Sequence, residues 1–173
     1  MKSDKIVKHT KIELLDLVDA LAWNDSFGCY TRPGFEKLIW PEIADQASWI
    51  IYFDIDNMHD LNSQHTHDGV DAMIKKSLAM RETDYVAGQW KSGDEFVICI
   101  TEDGSREEAS DPNLLCERLW ANFLENGLPA TFGITRVTSK NLIENVKSAT
   151  AIVELAKKEN RRGRIYKATD TGS

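Results

Sequence analysis

One near-continuous apolar run, "SWIIYFDID", residues 48–56, ends in two aspartates. A near-continuous run without helical spacing predicts a buried strand that delivers carboxylates at its C-terminal end. Ahead of it, Val7, Thr10, Leu14, Leu17 and Leu21 recur at alternating spacings of three and four, which predicts a helix over 4–22. Its stripe suits either packing on its own domain or a short dimerising stalk. Residues 24–32 read as a loop, and Pro33 opens a second helix near 33–46, at a position that tolerates proline.

Past the strand, Val70, Met73, Ile74 and Leu78 share one face of a helix over 68–80. "YVAGQW" and "EFVICI" read as strands flanking "KSGD", hence a β-hairpin. Asp111 caps a further helix, with Pro112 at its first position and Gly127 just past its end. "PATFGITRV" is a strand. Residues 140–159 form a long helix with Leu142, Val146, Ala149, Val153 and Ala156 inward, and "GRIYKA" closes as a strand. The order contains a βαββαβ unit. That predicts an α+β fold with a ferredoxin-like or palm core. Its central sheet is antiparallel and its own helices lie on one face, with further helices around it and an N-terminal helix. The expected divisions are a helix over 1–23, a domain over 24–168 and a polar tail over 169–173.

A chain of 173 residues, 42% hydrophobic and 28% charged, can bury a core without disulfides or metal staples. Its net charge of -7 argues against an extended nucleic-acid surface, but leaves room for a small phosphate pocket. Cys29, Cys99 and Cys116 have no paired spacing. Cys99 sits in an apolar run, and an odd, scattered set fits a reducing cytoplasm. No signal peptide pattern is present, and no apolar run approaches the ~18 residues of a membrane span. A cytoplasmic protein without a membrane partner is expected.

The carboxylates carry the chemistry. Asp54 ends the first core strand, and Asp94 and Glu95 sit at the hairpin between the next two. In a βαββαβ sheet the first strand lies centrally beside the hairpin, so the two places meet. Carboxylates that meet repel unless something positive lies between them. A hard divalent cation, Mg²⁺ or Mn²⁺, answers that need, and Mg²⁺ is usually held by one or two carboxylates plus substrate phosphates. The glycine at 93 lets a triphosphate approach the backbone. The plainer alternative is that Asp94 and Glu95 are solvated turn residues and that Asp54 and Asp56 cap a strand end. A strand ending D-I-D followed by a hairpin carrying G-D-E-F is a stronger signal than either alone.

Over residues 24–168 the chain resembles the GGDEF domain of the diguanylate cyclases, which condense two GTP into cyclic di-GMP. "GCYTR" (28–32) resembles the family's G-L-x-N-R. "DIDNMHDLN" (54–62) resembles D-I-D-x-F-K-x-I-N, and "HDGVD" (67–71) resembles H-x-x-G-D. "SGDEF" (92–96) stands for the signature, and "AKKENR" (156–161) resembles A-K-x-x-G-R. The resemblance implies that Asp54 and Asp94, assisted by the Ile55 carbonyl, ligate Mg²⁺ or Mn²⁺, and that Glu95 helps activate the 3′-hydroxyl. It implies that Asn62 and Asp71 read the guanine edge, that Ser92 and Gly93 line the triphosphate, and that Lys157 and Arg161 neutralise its β- and γ-phosphates. Taken alone, Asp71 also suits a helix cap, and Lys157 and Arg161 also suit a solvated i,i+4 face.

"RETD" (81–84) resembles the family's inhibitory R-x-x-D. That implies cyclic di-GMP as inhibitor as well as product, bound by Arg81 and Asp84. Here the gap to the signature is two residues longer than usual, which keeps strand alternation in phase. Each subunit holds one GTP, so a homodimer is implied. Ser92 replaces the signature's first glycine. Phe27, Thr31, His59, Thr66 and Val70 also depart from the family's pattern, which implies altered packing around the phosphate loop. The alternative function is a degenerate domain that binds GTP or cyclic di-GMP and regulates a partner. No G-x-x-x-x-G-K-[ST] occurs, so a P-loop reading fails.

Overall fold

The structure, a computed structural model, describes residues 10–78, 86–102 and 111–168. The apolar run becomes β3 (Ala47–Ile55), the longest strand, and lies between β5 (Glu95–Thr101) and β6 (Ala130–Arg136), antiparallel to both. β4 (Val86–Gln89) completes the hairpin with β5. These four strands are the expected antiparallel core. Short strands extend it into a seven-stranded mixed sheet. On one side β2 (Cys29–Tyr30) pairs parallel with β4, and β1 (Trp23–Asn24) pairs with β2. On the other, β7 (Ile165–Lys167) pairs parallel with β6. The β1–β2 hairpin falls where the sequence reads as loop. Two-residue strands carry no periodicity to detect, and the turn between them rests on Gly28, whose φ of +67° suits glycine.

Strand alternation decides which layer each residue joins. Trp49, Ile51, Phe53 and Ile55 of β3 face one core, with α4 (His67–Leu78) and α5 (Pro112–Glu125) above them. Ile50 and Tyr52 face a second core. That core is covered by α6 (Leu142–Lys158) and by α2, a continuous helical stretch of Arg32–Gly34, Phe35–Ile39 and Trp40–Ile43 with a wide π turn in its middle. The two helices of the βαββαβ unit therefore share a face, as expected, and the outer helices take the other. α6 approaches closely because β6 carries Gly133. A Cβ there would stand 2.6 Å from the Ala149 carbonyl oxygen. A short helix, α3 (Met58–Gln64), follows β3.

α1 (Lys11–Ala22) starts at Thr10, whose hydroxyl accepts from Glu13 N–H while the Glu13 carboxylate accepts from Thr10 N–H. Thr10, part of the predicted stripe, is thus the cap of this helix, and the stripe before it lies outside the described residues. The helix buries Ala22 alone and exposes Ile12, Leu15, Leu17, Val18 and Leu21. Among the described residues no helix is long and apolar enough to cross a membrane.

All three cysteines are buried and free. Burial pushes the Cys29 and Cys99 thiols up to about 12 and raises Cys116 further. At pH 8 only about one thiol in ten thousand is then thiolate. The folded protein is expected to resist a thiol reagent at pH 8 and to react at three sites once unfolded in guanidinium. Rapid reaction in buffer would contradict this burial.

Candidate active site

The register of the central strands assembles the carboxylates. Asp54 is paired directly opposite Glu95, and Ile55 N–H donates to the Asp94 carbonyl at 2.9 Å. The hairpin closes through Trp90 N–H to the Glu95 carbonyl at 2.8 Å. Asp54, Asp94 and Glu95 therefore converge at the C-terminal end of β3. Their repulsion, with burial the larger cause, raises the Asp54 carboxyl above its ordinary range, against the opposing pull of Lys157.

Each carboxylate has an internal partner. Lys157, in the last turn of α6, sits 2.6 Å from Asp54 Oδ1. Alternation explains the meeting, because Asp54 follows Ile50 and Tyr52 on the face that α6 covers. The Tyr52 hydroxyl donates to Glu95 Oε1 at 2.8 Å. Ser92 Oγ donates to Asp94 Oδ1 at 2.6 Å. The serine that replaces a signature glycine thus contacts the neighbouring carboxylate directly. The second Glu95 oxygen, Oε2, is buried without a hydrogen-bond partner among the described residues. An unsatisfied buried carboxylate oxygen is costly in isolation, and is suited to a cation or to a proton taken from substrate.

Beside these groups lies a cleft of about 310 Å³. Asn62, Asp71, Ser92, Gly93 and Asp94 line it together with Met58, His67 and Val70. Three segments, the first two consecutive helices and the third the hairpin, thus meet where guanine-reading and triphosphate-lining residues were expected. The size falls at the lower end of small-ligand sites. A larger groove of about 760 Å³ lies between Trp120 and Arg164 and contains none of these carboxylates. The polar groups converge at the smaller cleft, which makes it the candidate site.

Several departures from the family pattern now have physical reasons. α4 begins at His67, and Thr66 Oγ1 accepts from Gly69 N–H at 3.1 Å. Thr66 is the cap, which leaves Asp71 in the second turn, facing the cleft. Burial first and Asp68 second raise the Asp71 carboxyl, while His67 lowers it. Phe27 and Val70 are core residues, with the Phe27 ring edge-on to Phe96 at 5.4 Å. Asn160 stands for a glycine and adopts φ 55°, a conformation asparagine tolerates, while Arg161 N–H closes the helix end onto the Ala156 carbonyl.

Arg161 does not line the cleft. It pairs with Glu159 and stacks over Tyr166 at 4.9 Å. His59 is exposed. Arg81 and Asp84 lie outside the described residues.

Sequence reasoning missed Tyr52 as the partner of Glu95, and it missed Thr131 as the partner of Asp56. Asp56 is 3% exposed and accepts from Thr131 Oγ1 at 2.9 Å, while Gly163 N–H donates to that hydroxyl oxygen at 2.9 Å. Arg162 stands 3.9 Å away. This latch ties the end of β3 to the loop after α6. Burial raises the Asp56 carboxyl, and the Thr131 bond opposes that rise. Thr131→Val is expected to cost about 1–3 kcal/mol by removing the hydroxyl that both groups bond. A carboxylate whose folded pKa is raised weakens the fold at pH above its unfolded value, and the weakening vanishes below it. The loss in this variant is therefore largest at neutral pH and shrinks below about pH 4, as urea titrations at pH 7 and pH 3.5 would read.

Comparison with known proteins bears on the fold. No protein-family model matches the chain, and no curated protein matches it significantly. Solved structures do. A microbial GGDEF domain, described for its interaction with cyclic di-GMP, superposes with a TM-score of 0.66 at 18% identity, covering 87% of this chain and 98% of that one. The chain has the GGDEF fold. The diguanylate cyclase SiaD of Pseudomonas aeruginosa, solved with its activator SiaC, matches with a TM-score of 0.66 at 18% identity, over 96% of this chain and 69% of its own. The GGDEF domain of TpbB from the same organism matches with a TM-score of 0.65 at 16% identity, over 84% and 94%. The GGDEF fold accounts for the central β3, the signature hairpin and the helices on both faces.

Proposed function

We propose that the protein is a diguanylate cyclase, joining two GTP molecules into cyclic di-GMP with release of pyrophosphate. The observation that carries this reading is the register that sets Asp54 opposite Glu95, with Asp94 at the rim of a cleft shared by Asn62 and Asp71. Among the described residues no three His, Cys, Asp or Glu side chains form a ready metal cage. Mg²⁺ does not need one, because it is held by one or two carboxylates plus phosphates. The unsatisfied Glu95 oxygen and the cation already drawn to Asp54 fit such a site. Asp54 and Asp94, with the Ile55 carbonyl, would hold Mg²⁺ or Mn²⁺. A cation held there would lower the pKa of the 3′-hydroxyl and offset charge on the leaving pyrophosphate.

The chain's own groups do the rest. Asn62 and Asp71 bind the guanine edge, which presents donors and an acceptor that an amide and a carboxylate match. A site built on such bonds rejects bases that leave them unpaired. Ser92 and Gly93 admit the triphosphate to the hairpin backbone. Tyr52 orients Glu95, whose free oxygen takes the hydroxyl proton. Lys157 neutralises phosphate charge, and Arg161 joins it after releasing Glu159. Two protomers must face each other, and the exposed apolar residues of α1 supply a surface for joining two copies. Arg81 and Asp84 would bind the product as inhibitor.

The test is incubation of the purified protein with GTP and Mg²⁺ or Mn²⁺, with products resolved by chromatography and mass. Cyclic di-GMP supports the enzyme. A dimeric protein that forms none, yet binds GTP or cyclic di-GMP in titrations, is the regulatory domain instead.

A further inference from the structure

We propose that Lys157 is an internal counter-ion that holds Asp54 until a nucleotide arrives, and so makes divalent-cation uptake conditional on the triphosphate. The inference rests on the functional reading above and deepens it. The Lys157 ammonium lies 2.6 Å from Asp54 Oδ1, and both side chains are largely enclosed, 21% and 16% exposed. Solvent therefore screens the pair incompletely. The ammonium also belongs to the last turn of α6, where the helix dipole favours a cation. It is held in place from two directions.

A divalent cation taking Asp54 would stand within a few ångströms of that ammonium. Like charges at such separation repel strongly in a partly buried site. The metal alone must therefore displace Lys157 or tolerate it, and either weakens uptake. A triphosphate changes the balance. Lysine is a point charge on a flexible stem, able to exchange one anionic partner for another. When it turns to phosphate oxygens it loses no counter-charge, and Asp54 is released to the metal. Asp56, which also feels Lys157, keeps the Arg162 guanidinium at 3.9 Å when the lysine leaves. The carboxylates of the other two site residues are engaged by neutral hydroxyls, Tyr52 on Glu95 and Ser92 on Asp94, which carry no charge to repel a cation. Lys157 is thus the group on which the condition depends.

The experiment titrates the full chain with Mn²⁺ and reads free Mn²⁺ by electron paramagnetic resonance. It is run without nucleotide and with a non-hydrolysable GTP analogue, with Mn²⁺ held by analogue alone subtracted. The parent is expected to bind Mn²⁺ at least tenfold more tightly with the analogue. Lys157→Met is expected to bind Mn²⁺ alone at least tenfold more tightly than the parent and to gain less from the analogue. Lys157→Arg, which keeps the charge, should retain the parental pattern. Circular dichroism establishes that each variant is folded. The counter-ion role is overturned if Lys157→Met binds Mn²⁺ alone no better than the parent, while Asp54→Asn abolishes uptake with the analogue. In that case the metal reading stands. If neither parent nor Lys157→Met takes up Mn²⁺ with the analogue, the metal reading falls and the counter-ion role falls with it.

Discussion

Asp94→Ala is expected to reduce cyclic di-GMP formation at least about a hundredfold, the usual scale when a preorganised charge is removed from a transition state. The fold should barely notice. The structural bond at this residue is made by its backbone, through the carbonyl that accepts from Ile55 N–H, and alanine keeps it. The side chain is half-buried and accepts only the Ser92 hydroxyl among the bonds described. Removing it also relieves a repulsion, because Asp94 is one of the charges that raise the Asp54 carboxyl. A raised carboxylate weakens the fold above its unfolded pKa and has no such effect once protonated in both states. Any gain from the substitution is therefore present at pH 7 and absent near pH 3. The melting temperature at pH 7 should stay within about 2 °C of the parent's. Product formation at the parental rate would remove Asp94 from the chemistry. A collapse of stability would mean the carboxylate is structural, and would leave the turn-residue reading standing.

Phe53→Ala is expected to have the largest effect on stability. Phe53 has no exposed surface and stands at the centre of an aromatic cluster. Its ring stacks on Phe132 at 4.7 Å and on Phe96 at 5.2 Å, and meets Phe123 edge-on at 5.1 Å. Truncation removes these contacts and leaves a cavity between three strands and α5, which the stiff sheet cannot close. Such changes cost about 3–5 kcal/mol, a large share of the roughly 5–15 kcal/mol available to a domain. The melting temperature should fall by roughly 6–20 °C, and the urea midpoint should fall with an unchanged slope. A loss under about 1 kcal/mol would contradict the cluster. Activity should decline with the folded fraction and not beyond it, because Phe53 and Asp54 point to opposite faces of β3.

Much of this was legible in the sequence because it is local. The apolar run at 48–56 has one way to be buried, and it became the central strand. "KSGD" between two apolar segments closed as a hairpin. Asp111 with Pro112, and the inward stripe from Leu142 to Ala156, marked their helices nearly to the residue. The convergence of Asp54, Asp94 and Glu95 followed from hairpin geometry and a βαββαβ order. Thr10 was read as part of a stripe and is a cap. Asp71 also suited a cap, and the structure assigns capping to Thr66. A single hydroxyl or carboxylate near a helix start satisfies either role, and only the backbone path distinguishes them.

The sequence alone determined the core strands, their hairpin and the acidic residues at their tips, since alternation and turn chemistry act over a few neighbouring residues. Tertiary structure decided the partners. Lys157 reaches Asp54 across a hundred residues because α6 covers the face on which even-numbered residues of β3 emerge. Tyr52 meets Glu95 through strand register, and Thr131 joins Asp56 to Gly163 through a third strand. Arg161 follows the left-handed Asn160, pairs with Glu159 and stacks over Tyr166. Charges and hydroxyls of this kind have many possible partners in a sequence. Close packing of distant elements leaves each with a definite few.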